Sequence, residues 1–151
     1  MKVFEQYRFG FDVWGLLLFL LVMLPNLIWF AVLPPNDVLR TKSVTPMIDV
    51  LGSVCQVLLV ASLCFVINSG AARLRVSPLI VIAILCVLAY YAGWVLYYCG
   101  VIDAFVIVLM TVPPCVAFLL FALDRKNLPA AIFATCFFVC HLVYAVINHL
   151  L

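Results

Sequence analysis

Charged residues are scarce in this sequence. Asp, Glu, Lys and Arg make up only 9% of its 151 residues, and hydrophobic residues make up 70%. A typical soluble domain has about 25% charged and about 45–50% apolar residues. The composition therefore excludes a soluble globular domain and indicates an integral membrane protein, in which lipid supplies the apolar surroundings.

The usual sequence signatures of catalysis and of metal or nucleic-acid binding are also missing. The seven cysteines include no Cys-x-x-Cys pair, and there is no HExxH motif, nucleophile elbow or paired catalytic carboxylate. Cys136, Cys140 and His141 lie close together, but a structural zinc site usually takes a second pair of ligands from a separate segment. The net charge of +2 is too small to suggest nucleic acid. We therefore expect no metal, no cofactor, no nucleic-acid partner and no enzymatic activity.

Five apolar runs are each long enough to cross a bilayer as a helix, which takes about 20 residues. The later runs begin beside Thr45, Ser77, Asp103 and Asn127, whose side chains can cap a helix. The first run is longer than the core of a signal peptide, and no small-residue cleavage site follows it, so we expect it to remain as a span. The sequence thus predicts one domain, residues 1–151, an all-α bundle of five transmembrane helices. The predicted spans are residues 13–33, 47–67, 78–98, 104–123 and 130–151.

The positions of Lys and Arg predict how this bundle is oriented. In a five-span arrangement six basic residues fall on one side, namely Lys2, Arg8, Arg73, Arg75, Arg125 and Lys126. Only Arg40 and Lys42 fall on the other side. Because cytoplasmic loops carry the excess of Lys and Arg, the N-terminus is predicted inside and the C-terminus outside.

Polar residues concentrate in the helix halves that this orientation places toward the outside. Asp49, Ser53 and Gln56 share one face of the second helix, and His141 and Tyr144 share one face of the fifth. Polar side chains exposed to lipid cost several kcal/mol, so they should face the bundle interior. We predict an outward-facing polar site for a lipid or small-molecule ligand, lined by Asn26, Trp29, Gln56, Tyr90, Tyr91, Trp94, His141 and Tyr144.

Some of these side chains have a purely structural alternative. We expect His141 to hydrogen-bond Tyr90, Tyr91 or Gln56. Trp94 belongs with Tyr97 and Tyr98 to an aromatic group that is typical of an interfacial belt, or else of a binding wall.

Two charged residues of the first external loop are also close in sequence. Asp37 and Arg40 are three residues apart, and we expect them to form a solvent-exposed ion pair that contributes little stability.

Prolines occur near the middle of two predicted spans. Pro25 removes the hydrogen-bond donor for the Leu21 carbonyl, and Pro113 and Pro114 remove the donors for residues 109 and 110. We expect helix breaks at all three prolines, with Asn26 and Thr111 supplying replacement donors. Such breaks either widen the bundle by kinking or shape a ligand site at mid-membrane depth.

The first part of the chain resembles a known type of membrane protein. The stretches "MLPNLIWF", "PPNDVLR" and "TPMIDVLGSVCQVLLVASLCFVIN" are similar to the first two spans of small multi-pass bacterial membrane proteins that carry no assigned function. The resemblance covers roughly the first 70 residues. It implies a bacterial plasma-membrane location and nothing about activity.

Three functional classes are compatible with the sequence. We favour a non-enzymatic bundle that binds or helps to transport an amphiphile or small polar molecule. A partner subunit or assembly factor, joined to another membrane protein or to a second copy of this chain, is the alternative. A membrane-embedded enzyme using His141 with Asp49 or a tyrosine is the third, and no catalytic motif supports it.

Overall fold

The computed structural model describes residues 6–71 and 75–151. A short strand β1 (Tyr7–Phe9) precedes helix α1 (Val13–Ala31), and helix α2 (Pro46–Phe65) leads directly into strand β2 (Val66–Asn68). Helices α3 (Pro78–Tyr98), α4 (Ala104–Asp124) and α5 (Leu128–Ala145) follow, and α5 continues as a π-helical turn (Val146–Leu150). All five helices are long and apolar enough to cross a membrane, which confirms the predicted number of spans.

The helices form a ring. Helix α3 packs along α4, α4 along α5, and α5 along α2, whereas α1 closes the ring with far fewer contacts to α2 and α3. Helix α4 is the most buried of the five, because it contributes side chains to the centre of the bundle from Val106 to Ala122. The loose fit of α1 leaves room beside it.

One end of the bundle, here called the sheet end, is held together by polar contacts. Strands β1 and β2 pair antiparallel, with Arg8 opposite Ile67. Asn127 caps α5 and also donates to the carbonyls of Ser62 and Val66. Asp12 caps α1 and forms an ion pair with Arg125 at 3.2 Å. The Asp12 backbone N–H also donates to the Cys64 carbonyl at 2.8 Å, so the N-terminus of α1 is fixed to both α2 and α4.

At the sheet end α1 and α2 are in backbone contact. A Cβ atom on Gly15 would lie 2.6 Å from the carbonyl oxygen of Leu63, so only glycine fits at this crossing. From Phe19 to Phe30, by contrast, α1 borders a cavity. The opposite end of the bundle, here called the loop end, comprises residues 32–45, the α3–α4 connection and the π-helical turn.

Several helix ends differ from the prediction by one or two residues. Helix α1 stops at Ala31, α5 begins at Leu128, and α2 stops at Phe65 because residues 66–68 pair with β1. The small sheet was not predicted. Its strands are three residues each, too short to show an alternating pattern against the neighbouring apolar helix.

The predicted helix breaks were wrong in one respect, because α1 and α4 run without interruption through Pro25 and through Pro113 and Pro114. The Leu21 carbonyl that Pro25 leaves without a donor accepts a hydrogen bond of 2.7 Å from the Tyr91 hydroxyl. Asn26 donates instead to the Val22 carbonyl, and Thr111 to that of Ile107. A neighbouring helix thus replaces the missing donor at Pro25, and the helix does not unwind.

The basic residues divide between the two ends as expected. Among the described residues, Arg8, Arg75, Arg125 and Lys126 lie at the sheet end, and Arg40 and Lys42 at the loop end. Lys2 and Arg73 lie outside the described residues.

Candidate binding cavity

A cavity of about 500 Å³ lies between the helices, and all five helices contribute to its wall. Along α1 it extends from Phe19 to Phe30, which corresponds to about 16 Å at 1.5 Å per residue. At the loop end its wall includes Leu39 of the α1–α2 loop and His149 of the π-helical turn. A cavity of this volume is within the roughly 300–1,000 Å³ of small-molecule sites.

The structure places seven of the eight predicted site residues on this wall. They are Asn26, Trp29, Gln56, Tyr90, Trp94, His141 and Tyr144. Tyr91 is the exception, because its hydroxyl is directed to the Leu21 carbonyl of α1. The predicted grouping by helix face therefore holds for α2 and α5, while the two adjacent tyrosines of α3 separate.

Two of these seven residues connect α3 to α1. The Asn26 amide donates to the Tyr90 hydroxyl at 2.7 Å, and that hydroxyl donates to the Val22 carbonyl at 3.0 Å. Asn26 also donates to the same carbonyl at 3.2 Å. Tyr90 is 3% exposed. This closed network holds the helices together, and its hydrogen-bonding capacity is largely used.

Two other wall residues keep their polar groups free. Among the residues described here, none forms a hydrogen bond with the side chain of Gln56 or His141. Polar groups inside a protein are normally satisfied by protein or by a bound molecule. These two groups are therefore available to whatever occupies the cavity. The indole N–H of Trp94 is buried beside Tyr90 and does not face the cavity.

The environment of His141 differs from the prediction. Its imidazole stacks between Phe137 and Tyr144, with ring centroids 5.2 and 6.5 Å away, and it bonds none of Tyr90, Tyr91 or Gln56. The prediction of these partners was wrong because the position of a residue on a helix face gives the direction of its side chain only. It does not give the distance to the side chains opposite. The cavity separates α5 from α1 and α3, which bring Asn26 and Tyr90 to the opposite wall.

The cavity wall is more apolar at its deepest part. Phe19, Val60, Phe118 and Phe137 lie on the sheet-end side of Gln56 and His141, and none carries a polar side-chain atom. Toward the loop end the wall adds Asp49, Ser53 and Tyr144. The wall thus changes from apolar to polar along its length, as the sequence analysis anticipated for the bundle interior.

The α1–α2 loop covers the loop end through a network centred on Asp37. This carboxylate accepts hydrogen bonds from Trp29 Nε1 at 3.0 Å, Tyr97 Oη at 2.9 Å and Arg40 Nε at 2.8 Å. The Arg40 guanidinium also lies over the Trp29 ring, 4.7 Å from its centroid. Trp29 and Leu39 belong to both this network and the cavity wall. The network therefore forms a cap over the cavity.

Burial and hydrogen bonding have opposite effects on the pKa of Asp37. Burial alone would raise its pKa, but the donors Tyr97, Trp29 and Arg40 and the Leu39 amide outweigh that effect and hold the pKa below its ordinary value. The expected solvent-exposed pair with Arg40 exists, but the Asp37 side chain is only 11% exposed. Sequence reasoning missed the other partners because they come from two helices.

The aromatic residues at the end of α3 face inward. Tyr97 is fully buried and Trp94 is 5% exposed, and the Tyr98 hydroxyl donates to the Val32 carbonyl. The prediction of a lipid-facing interfacial belt is therefore wrong for Trp94 and Tyr97. The Trp94 ring belongs to the cavity wall.

Comparison of the chain with family models, with curated proteins and with solved structures finds no match.

Proposed function

We propose that this protein is a non-enzymatic binding bundle of the bacterial plasma membrane that takes up an amphiphile or small polar molecule from the outer side. The cavity is the binding site. Gln56 and His141 hydrogen-bond the polar part of the ligand, and the phenylalanines of the deep end contact its apolar part. Binding is the function itself or one step of a transport process.

The free hydrogen-bonding groups on the cavity wall carry this proposal. A bundle stabilised by a dry polar core would join Gln56 to His141, whereas here each faces the cavity with no described hydrogen-bond partner. A molecule that supplies donors and acceptors at this depth would satisfy them.

The orientation in this proposal rests on the basic residues. Four described Lys and Arg residues at the sheet end, against two at the loop end, favour a cytoplasmic sheet end. The cap and the polar end of the cavity then face outward. Lys2 and Arg73 would add to the cytoplasmic side.

Native mass spectrometry after purification in a mild detergent tests the proposal. We expect wild-type protein to retain a small molecule and the double variant Gln56→Leu with His141→Leu to lose it. The thermal midpoint should stay nearly unchanged, because neither side chain bonds another described residue. Asn26→Leu is the matched control for a structural polar residue, and it should lower the midpoint because it breaks the Tyr90 network.

Two results would contradict the proposal. One is a large loss of stability in the double variant with no ligand ever detected, which would show that Gln56 and His141 hold helices together. The other is stoichiometric co-purification of a second protein with an empty cavity, which would favour a partner subunit.

A further inference from the structure

Helix α1 is joined to α3 on one side of the cavity. Three tyrosine hydroxyls of α3 donate to backbone carbonyls at residues 21, 22 and 32, and they belong to Tyr90, Tyr91 and Tyr98. At the loop end, the cap around Asp37 lies over the cavity. These contacts close the cavity toward α3 and cover it at the loop end.

The side of α1 that faces α2 is joined in a different way. The Gly10 N–H donates to the Phe65 carbonyl at 3.0 Å, and the Asp12 N–H donates to the Cys64 carbonyl at 2.8 Å. Both hydrogen bonds lie at the sheet end. In the described part of the chain, no hydrogen bond joins residues 19–30 of α1 to α2. Polar contacts therefore fasten α1 to α2 at one end only, and not where the two helices border the cavity.

Some residues on the α1–α2 side line the cavity and are also exposed on the outer surface. Phe30 of α1 is 68% exposed and Ser53 of α2 is exposed, and both belong to the cavity wall. Beside them, the outward faces of the two helices carry exposed apolar side chains such as Leu27 and Val57. In a membrane-spanning bundle such a surface faces lipid. The cavity thus has a lateral opening between α1 and α2.

The depth of this opening corresponds to one leaflet of a bilayer. The cavity extends about 16 Å along α1, and half of a hydrocarbon core that is about 30 Å thick is about 15 Å. The opening begins at Phe30 and Ile48, close to the loop-end termini of α1 and α2, where headgroups and water meet it. The lipid chains of this leaflet therefore border the lateral opening along its depth.

The deep wall suits a lipid chain better than a water-soluble molecule. Phe19, Val60 and Phe118 carry no polar side-chain atom. A polar solute would lose its hydration there without gaining hydrogen bonds in return. A lipid chain moves from one apolar environment into another and avoids that cost. Its headgroup would remain near the loop end, beside Ser53 and Tyr144.

We infer that the cavity takes up an acyl chain of a membrane lipid through the lateral opening between α1 and α2. This inference rests on the proposed function. It narrows the ligand to a lipid of the leaflet at the loop end, and it assigns the route of entry.

A photo-crosslinking amino acid inside the cavity tests the occupant. Benzoylphenylalanine replaces Phe118, which is buried on the cavity wall and therefore out of reach of the surrounding bilayer. Phe121 is the matched control, because it is equally buried on the same helix but does not lie on the wall. The full chain is reconstituted in vesicles of phosphatidylethanolamine and phosphatidylglycerol, irradiated and analysed by mass spectrometry. We expect a phospholipid adduct at position 118 and none at position 121.

Two tryptophan substitutions on α2 test the route of entry in the protein that carries the probe at position 118. Ser53→Trp places a large ring in the lateral opening, whereas Val57→Trp places the same ring on the lipid-facing side of α2, away from the wall. Protein in mixed micelles is diluted into micelles that hold deuterated phospholipid and is irradiated at successive times. The deuterated adduct should form at least about tenfold more slowly in Ser53→Trp than in Val57→Trp. Thermal midpoints show whether the variants fold, and Ser53→Leu replaces Ser53→Trp if that variant does not.

The outcomes separate this inference from the proposed function. The inference is overturned if a folded protein forms no phospholipid adduct at position 118, or forms as much at position 121. It is also overturned if exchange is equally fast in the two tryptophan variants. In each case the binding bundle stands if a small molecule is still retained through Gln56 and His141. If no adduct forms and no small molecule co-purifies, both fall.

Discussion

Tyrosine hydroxyls provide most of the side-chain hydrogen bonds between α1 and α3. Tyr90, Tyr91 and Tyr98 each donate to a backbone carbonyl of α1 or of the residue that follows it. Tyr97 donates to Asp37 on the loop beyond. Since α1 has few packing contacts with its neighbours, these polar contacts determine where it lies. The position of α1 in turn determines the width of the cavity.

Asp37 is the residue whose removal should most affect the cap. Asp37→Asn loses the ion pair with Arg40 and weakens three other hydrogen bonds, so we expect a loss of about 1–3 kcal/mol in the free energy of unfolding at pH 7. Asp103→Asn is the control. Asn caps a helix as well as Asp does, so the N-terminus of α4 should be unaffected.

The lowered pKa of Asp37 also predicts a dependence on pH. A carboxylate whose pKa is lower in the folded state stabilises the fold fully above its unfolded pKa, and loses that effect as pH falls through the folded value. The thermal midpoint of the wild type should therefore fall as the pH is lowered below about 4. The thermal midpoint of Asp37→Asn should fall less over the same pH range. An identical pH profile for the two proteins would show that the carboxylate does not stabilise the cap.

At the scale of single helices, the prolines of α1 and α4 are accommodated within continuous helices. In α1 the Tyr91 hydroxyl replaces the backbone donor that Pro25 lacks. In α4 a close approach of α3 accompanies the proline pair, since a Cβ atom on Gly93 would lie 3.0 Å from Leu109 Cβ. A bend of more than about 20° in α4 remains a prediction of the paired prolines.

A double-mutant cycle measures the exchange of donors at Pro25. Tyr91→Phe should destabilise the wild type by about 1 kcal/mol, because it leaves the Leu21 carbonyl without a donor. In a Pro25→Ala background the backbone N–H of residue 25 is restored, and the same change should cost clearly less. Equal costs in both backgrounds would show that Tyr91 acts through packing alone. Thermal unfolding in one detergent supplies all four values.

The elements and most of the wall residues were predictable from the sequence because they depend on local patterns. Hydrophobic run length predicted five helices. Helical spacing predicted that Ser53 and Gln56 of α2 share one interior face, and that His141 and Tyr144 of α5 share another. The different roles of Tyr90 and Tyr91 were not predictable, nor was the network around Asp37. Those contacts join residues about 60 to 70 positions apart and depend on the relative heights of α1 and α3, which no local pattern encodes.

At the scale of the whole molecule, the two ends have different roles. The sheet end is fixed by the β1–β2 pair, by Asn127 and by the contact of Gly15 with Leu63. The loop end holds the cavity and its cap. Helix α1 is the most loosely packed of the five helices, whereas α3, α4, α5 and α2 pack closely in that order.

Access to the cavity from outside is the central claim, and cysteine labelling of intact bacterial cells measures it most directly. Single cysteines replace Ser43 on the loop, Ser53 on the cavity wall and Lys126 at the sheet end, in a background without native cysteines. A membrane-impermeant maleimide should label positions 43 and 53 and reach position 126 only after the cells are permeabilised. Labelling of position 126 in intact cells, or a position 53 that stays unreactive while 43 reacts, would contradict an outward-facing cavity.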